Sequence, residues 1–113
     1  MSNEQLNVQE IMNDFYEYIS RIPSGSEYIY TEIRKGNIQE AVDSIISFSE
    51  GMAWIISANN YLIMNKIDLE IDEEKLQEIL SELNKALELK DFYLVADIYE
   101  YEIKEFFIGI NIQ

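Results

Sequence analysis

The sequence contains neither cysteine nor histidine among its 113 residues. Without cysteine it can form no disulfide bond and offers no thiolate nucleophile, and without either residue it lacks the usual ligands of zinc. The lack of histidine also removes the side chain that most often transfers protons near neutral pH. We therefore expect no cofactor, no metal site and no catalytic residue of the familiar kinds.

Proline and glycine are scarce as well, with one proline and four glycines in the chain. Both residues interrupt regular structure, so their scarcity favours long, unbroken elements. Hydrophobic residues make up 48% of the sequence, which is too many for a disordered chain and enough for a packed core. At this length we expect one domain that spans residues 1–113.

Long apolar runs are also absent. The longest uncharged stretch, Gly51 to Asn65, is too short and too polar to cross a bilayer. The opening residues, MSNEQLNVQE, lack the basic and apolar regions of a signal peptide. We therefore expect a soluble cytoplasmic protein without a membrane partner.

Basic residues are few, since 22 acidic residues face only 8 basic ones and the formal net charge is −14. This charge opposes binding to nucleic-acid phosphates and to anionic lipids. We expect an acidic, well-solvated surface and no nucleic-acid partner, with a basic protein as one alternative partner.

The stretch from Asn37 to Asn65 predicts one long helix around which the chain is organised. Asn37 is a favourable N-cap residue, and Glu40 completes a capping-box pattern three positions later. Apolar residues recur at steps of three and four and cover at least half of the helix circumference, which predicts packing on several sides. The apolar set is Ile38, Ala41, Val42, Ile45, Ile46, Phe48, Met52, Ala53, Ile55, Ile56, Leu62, Ile63 and Met64.

The remaining chain also reads as helices. The predicted helical ranges are, in order, 2–22, 26–35, 37–65, 72–90 and 91–109. Pro23 is expected to end the first helix, Gly36 the short second one, and 67–71 to form a connection. Leu83 should be buried at the middle of its helix. The fold class we predict is all-α, an antiparallel helical bundle of four main helices plus one short helix.

Two segments echo each other, since GNIQEAVDSI and KDFYLVADIY both start with a turn residue and a cap and later carry an apolar pair followed by Asp43 or Asp97. Each is predicted to begin the second helix of a hairpin that is entered through a tight turn. Two motifs, EGMAW around Trp54 and KALELKDFYLVADIYEYEI from Lys85 to Ile103, are similar to a family of small uncharacterised all-helical proteins of Gram-positive bacteria. The resemblance implies a helical fold and assigns no activity and no site.

Carboxylates are the only plentiful catalytic groups in the sequence. Glu73, Glu74 and Glu78, followed by Glu88 and Asp91, resemble the spacing of the magnesium site in all-helical nucleotide pyrophosphohydrolases. The spacing departs from that pattern at Glu78, and Asp91 suits a helix cap better than a ligand. A magnesium-dependent nucleotide hydrolase is therefore an alternative, and a non-enzymatic protein is the main expectation.

Apolar residues also lie outside the predicted core faces, on the long helix and on the last helix. We predict that they form a contact with another chain, most simply in a symmetric homodimer. The predicted interface residues are Trp54, Tyr61, Leu94, Ile98 and Tyr101. Two alternatives are burial of these residues within one monomer, and a groove that binds a partner helix as in export chaperones or adaptor proteins.

Overall fold

The computed structural model describes the backbone of residues 2–67 and 71–110 and the side chains of residues 7–67 and 71–110. Within these residues the fold is entirely helical, which confirms the predicted all-α class. Residues 68–70, which fall in the predicted connection, and residues 111–113 are not among the described residues. The helices are α1 (Ser2–Arg34), α2 (Ile38–Met64), α3 (Glu73–Glu88), α4 (Phe92–Ile98), a π-helical turn (Tyr99–Ile103) and α5 (Lys104–Ile108), of which the last three join into one C-terminal helix.

The first helix continues through Pro23 to Arg34, so the predicted stop at Pro23 and the separate short helix were wrong. The reason is a buried stripe that keeps its phase across the proline. It comprises Phe15, Ile19, Ile22, Ser26, Ile29 and Ile33, at alternating steps of four and three. Burying this stripe outweighs the cost of an interior proline, about 3 kcal/mol. The sequence pattern did not reveal that the stripe continues, because the first stripe position after the proline is a serine and not an apolar residue.

Three helices end in the same backbone turn. Gly36, Lys66 and Lys90 all have positive φ, and the amides of the residues that follow them donate back into the preceding helix. The amide of Asn37 donates to the Glu32 carbonyl at 2.9 Å, and that of Asp91 donates to the Ala86 carbonyl at 3.0 Å. These are Schellman turns, and they confirm that the two echoing segments enter their helices in the same way.

The N-caps differ among the helices. Asp72 and Asp91 accept hydrogen bonds from the amides of Lys75 and Leu94, at 3.0 and 3.1 Å. Asn37 makes no capping bond, and its side-chain amide donates to Glu32 at 3.3 Å instead. The capping box predicted for Asn37 was therefore wrong, although the helix does begin at the next residue.

The core lies where α1 packs on α2 and on the C-terminal helix, while α3 packs on α4. Its largest members include Phe15, Tyr99 and Phe107, and the rings of Phe48 and Tyr99 meet edge to face at 5.2 Å. Leu83 is 2% exposed, which confirms its predicted burial. The bundle is elongated, at 52 × 23 × 21 Å.

The π-helical turn explains how the C-terminal helix keeps one face in the core. Val95, Tyr99, Ile103 and Phe107 are all buried, at a constant spacing of four residues. In a regular α-helix such a series drifts around the axis by about 40° per step. The wider π turn absorbs the extra residue, so all four side chains reach the same core.

Ion pairs join α1 to the C-terminal helix along their shared edge. The guanidinium group of Arg34 bonds Asp97 at 3.0 Å and Glu100 at 2.6 Å. The Lys104 ammonium group donates to the Glu27 carboxylate at 3.3 Å, on the next part of the same edge. Exposed pairs contribute about 0–1 kcal/mol each, so they set the register of the helices more than the stability of the bundle.

Candidate protein-interaction surfaces

Trp54, the first residue of the predicted interface, lies at the junction of α1 and α2. Its ring centre is 6.3 Å from that of Phe15 and 6.2 Å from that of Tyr18, and 40% of the residue is exposed. Tyr61, one heptad further along α2, is partly buried and packs against the core. Trp54 therefore presents an aromatic edge to solvent while its other edge is held by α1.

Ile98 is only 1% exposed, so its predicted place in an interface was wrong. The C-terminal helix packs against both α1 and α3, and this buries a wider arc of its surface than the sequence pattern suggested. Ile98 falls inside that arc and belongs to the core of the monomer.

Leu94 and Tyr101 are exposed, as predicted, but Tyr101 is far from Trp54. The negative charge of the neighbouring Glu100 raises the pKa of Tyr101, and Glu100 bonds Arg34 at the end of α1. Trp54 instead contacts Tyr18, and the helix from Tyr18 to Arg34 spans about 24 Å at 1.5 Å per residue. The five predicted residues therefore do not form one continuous patch.

A different face of α2 is largely exposed and carries no charge, with Val42 and Ile56 half-buried, and we refer to it as the α2 stripe. It consists of Val42, Ile46, Ser49, Ala53, Ile56, Asn60 and Ile63, at alternating steps of four and three. Ile46 is 56% exposed and Ile63 is 53% exposed. The sequence placed the apolar members of this stripe in the core, which was wrong for Ile46, Ala53 and Ile63. Among the described elements α1 packs most extensively along α2, and the C-terminal helix reaches α2 where Tyr99 meets Phe48, so the flank that carries the stripe is left largely uncovered.

A second surface feature, the seam groove, lies between α1 and α2 beside Pro23. It has a volume of about 300 Å³, and its lining includes Tyr18, Gly25, Tyr28, Ser44 and Ser47. The groove exists because small residues face each other where the two helices meet. One turn along α2, a Cβ atom on Gly51 would overlap the Tyr18 hydroxyl, so this glycine lets the tyrosine lie against α2.

Several polar groups are buried without a partner among the described residues, namely the Ser26 hydroxyl, the Asn59 amide, one carboxylate oxygen of Glu73 and the Tyr99 hydroxyl. Burial raises the pKa of Tyr99, and it also raises the pKa of Tyr18. The hydroxyls of Tyr18 and Tyr99 therefore stay protonated near neutral pH. Neither is poised to act as a base.

The carboxylates that resemble a magnesium site do not converge. Within residues 2–67 and 71–110, no three acidic side chains are grouped so that they would hold a metal ion. Asp91, the last member of the predicted set, caps α4 through its carboxylate. In the same described ranges, no helix combines the length and the apolar character that a membrane crossing requires.

A family model described as a domain of unknown function, DUF8042, matches residues 10–113. The chain therefore belongs to this family, and its helical structure agrees with the expected resemblance to an uncharacterised all-helical family. No curated protein and no solved structure is significantly similar to the chain.

Proposed function

We propose that this member of the DUF8042 family is a non-enzymatic, cytoplasmic protein-interaction domain that self-associates through the α2 stripe as a symmetric dimer. The observation that carries the proposal is the exposure of an uncharged face in a chain with a net charge of −14. The stripe extends from Val42 to Ile63, about 32 Å along the helix.

The composition of the stripe is unusual for a surface that faces only water. More than a quarter of the residues in the chain are charged, yet none of the seven stripe positions is. Ile46 and Ile63 each expose more than half of their surface, and Met64 extends the apolar end at 81% exposure. Exposed aliphatic side chains on an uncharged face are typical of sites where another chain binds.

The order of residues along the stripe suits a second copy of the same chain. In an antiparallel pair centred midway between Met52 and Ala53, Val42 of one helix lies level with Ile63 of the other, and Ser49 lies level with Ile56. The small residues Ala53 and Ser49 at the centre allow the two helices to approach closely. A symmetric contact needs such self-complementarity, because each copy supplies the same surface.

Charge repulsion between two copies is the main opposing effect. The nearest acids on α2, Asp43 and Glu50, lie roughly 80–100° around the helix from the centre of the stripe at 100° per residue. They would remain at the solvated rim of the contact, where repulsion is screened over about 8–10 Å at physiological salt. An uncharged centre also offers no advantage to a basic partner, which favours a second copy.

Light scattering coupled to size-exclusion chromatography tests the proposal at tens of micromolar protein in moderate salt. The expected result is a mass twice that of the 13.3 kDa chain. Ile46→Glu and Ile63→Glu should each return the mass to that of the monomer. Ile108→Glu is the matched control, because Ile108 is also 53% exposed but lies on α5, and this variant should stay dimeric.

A wild-type protein that elutes as a 13.3 kDa monomer under these conditions would contradict the proposal. A dimer that survives both stripe substitutions would place the contact elsewhere and would equally reject the α2 stripe. Circular dichroism of each variant checks that helicity is retained, which is expected because all three isoleucines are exposed in the monomer.

A further inference from the structure

We infer that the seam groove between α1 and α2 is a docking site for a segment of another protein, one that carries a large apolar side chain flanked by basic residues. This site is separate from the α2 stripe and does not depend on dimerisation. On α2 the groove residue Ser47 lies roughly 140° around the helix from the centre of the stripe, so both surfaces can be occupied together.

The groove has the form of a receptor for one apolar anchor. Its volume of about 300 Å³ accommodates a large aliphatic or aromatic side chain. Tyr18 and the half-exposed Tyr28 line the groove, and the half-exposed Trp54 packs against the Tyr18 ring. Aromatic residues beside a pre-formed pocket are the groups that dominate binding energy at protein interfaces.

The lining of the groove contains no carboxylate, but acidic residues lie within about one helical turn of lining residues on both helices, and we refer to them as the rim. On α1, Asp14 and Glu17 lie one turn before Tyr18 and Arg21, and on α2, Asp43 and Glu50 flank Ser47. All four carboxylates are on exposed residues. Arg21 is the one basic residue in the lining, and its guanidinium group already pairs with Glu17.

This charge pattern determines which kind of segment can bind in the seam groove. Lysine or arginine residues on either side of an apolar anchor would meet the rim carboxylates, which steers association and fixes the register of the bound segment. A second copy of the chain would instead bring the same acidic rim against this one. Anionic small molecules, such as fatty acids, would meet the same repulsion.

A pair of synthetic helical peptides tests the inference. Both contain a central leucine and phenylalanine anchor without tryptophan, and one is flanked by lysines while the other is flanked by glutamates. The chain has a single tryptophan, so the emission of Trp54 reports occupation of the groove beside it. We expect saturable binding of the lysine-flanked peptide with a shift of that emission, and no binding of the glutamate-flanked peptide.

Two variants connect that binding to the groove. Gly25→Leu should weaken it at least tenfold, because a Cβ at Gly25 projects into open space and a leucine there fills the groove without a clash. This variant should fold, since leucine favours a helix more than glycine does. The double variant Asp43→Asn, Glu50→Gln should weaken binding several-fold by removing two rim charges.

The matched control is the double variant Glu74→Gln, Glu78→Gln, which removes the same charge from exposed positions on α3. Binding to this control should equal binding to the wild type. The inference is overturned if the lysine-flanked peptide does not bind, or if Gly25→Leu binds it equally well. It is also overturned if the control weakens binding as much as the rim variant, which would show attraction to net charge alone.

Discussion

Among single residues, Asn59 fits its surroundings least well. It is 2% exposed on the core side of α2, and neither atom of its side-chain amide has a hydrogen-bond partner among the described residues. A buried polar group without a partner costs about 1–3 kcal/mol, because it gives up hydrogen bonds to water without replacing them. In the sequence, Asn59 is a polar residue between Ile56 and Leu62 of the apolar set of this helix.

Asn59→Leu should therefore raise the free energy of unfolding by about 1–3 kcal/mol, measured by urea denaturation. Asn84→Leu, on the exposed face of α3, is the control and should change stability by no more than about 0.5 kcal/mol. A clear loss of stability in Asn59→Leu would show that the amide is hydrogen-bonded in solution.

At the scale of the helix, α1, α2 and α3 all end in the same backbone turn. A different residue occupies its positive-φ position in α1 than in α2 and α3. Gly36 adopts its positive φ without steric cost, whereas Lys66 and Lys90 adopt φ values of 65° and 55° with a Cβ atom present. For an L-residue this conformation costs about 1–2 kcal/mol. The glycine signalled the end of α1 in the sequence, Lys90 was recognised as a turn residue through the echo between the two segments, and Lys66 gave no signal of the turn it forms.

Lys90→Gly should stabilise the protein by about 0.5–1 kcal/mol, since relief of the strained backbone exceeds the added freedom of glycine in the unfolded chain. Lys85→Gly provides the opposite test within α3, where glycine should cost about 1 kcal/mol. Thermal denaturation of both variants decides the matter. Equal destabilisation by the two glycines would refute the assigned strain at Lys90.

For the molecule as a whole, the excess of acidic residues extends to the contact between α3 and the C-terminal helix, where Glu82 is near Glu102. Burial raises the pKa of Glu102, and the nearby negative charge of Glu82 raises it further. The folded state thus binds this proton more tightly than the unfolded state does. Its contribution to stability is present when Glu102 is protonated and is lost as the pH rises through the folded pKa.

Stability should consequently increase as the pH falls from 7 towards the ordinary range of glutamate. Glu102→Gln should be more stable than the wild type at pH 7 and should show a smaller increase on acidification. Glu105→Gln removes the same charge from an exposed position on the same helix and should keep the wild-type pH profile. Urea unfolding at several pH values measures both. An unchanged profile in Glu102→Gln would contradict the assignment.

The sequence by itself determined the helical class, the extent of α2, the cap at Asp91, and the burial of Leu83. These features depend on residues within a turn or two of one another, because periodicity and capping are local properties of a helix. The exposure of Trp54 at the surface also followed from its position opposite the main apolar face of α2.

Only the tertiary structure decided which apolar faces are covered. It carried α1 through Pro23 because the buried stripe continues beyond the proline, and it buried Ile98 between neighbouring helices. It left Ile46 and Ile63 exposed because α1 packs along the other flank of α2, and it opened the seam groove where small residues of two distant segments meet. Each of these outcomes depends on a partner surface elsewhere in the chain, and a periodic pattern within one helix carries no information about its neighbours.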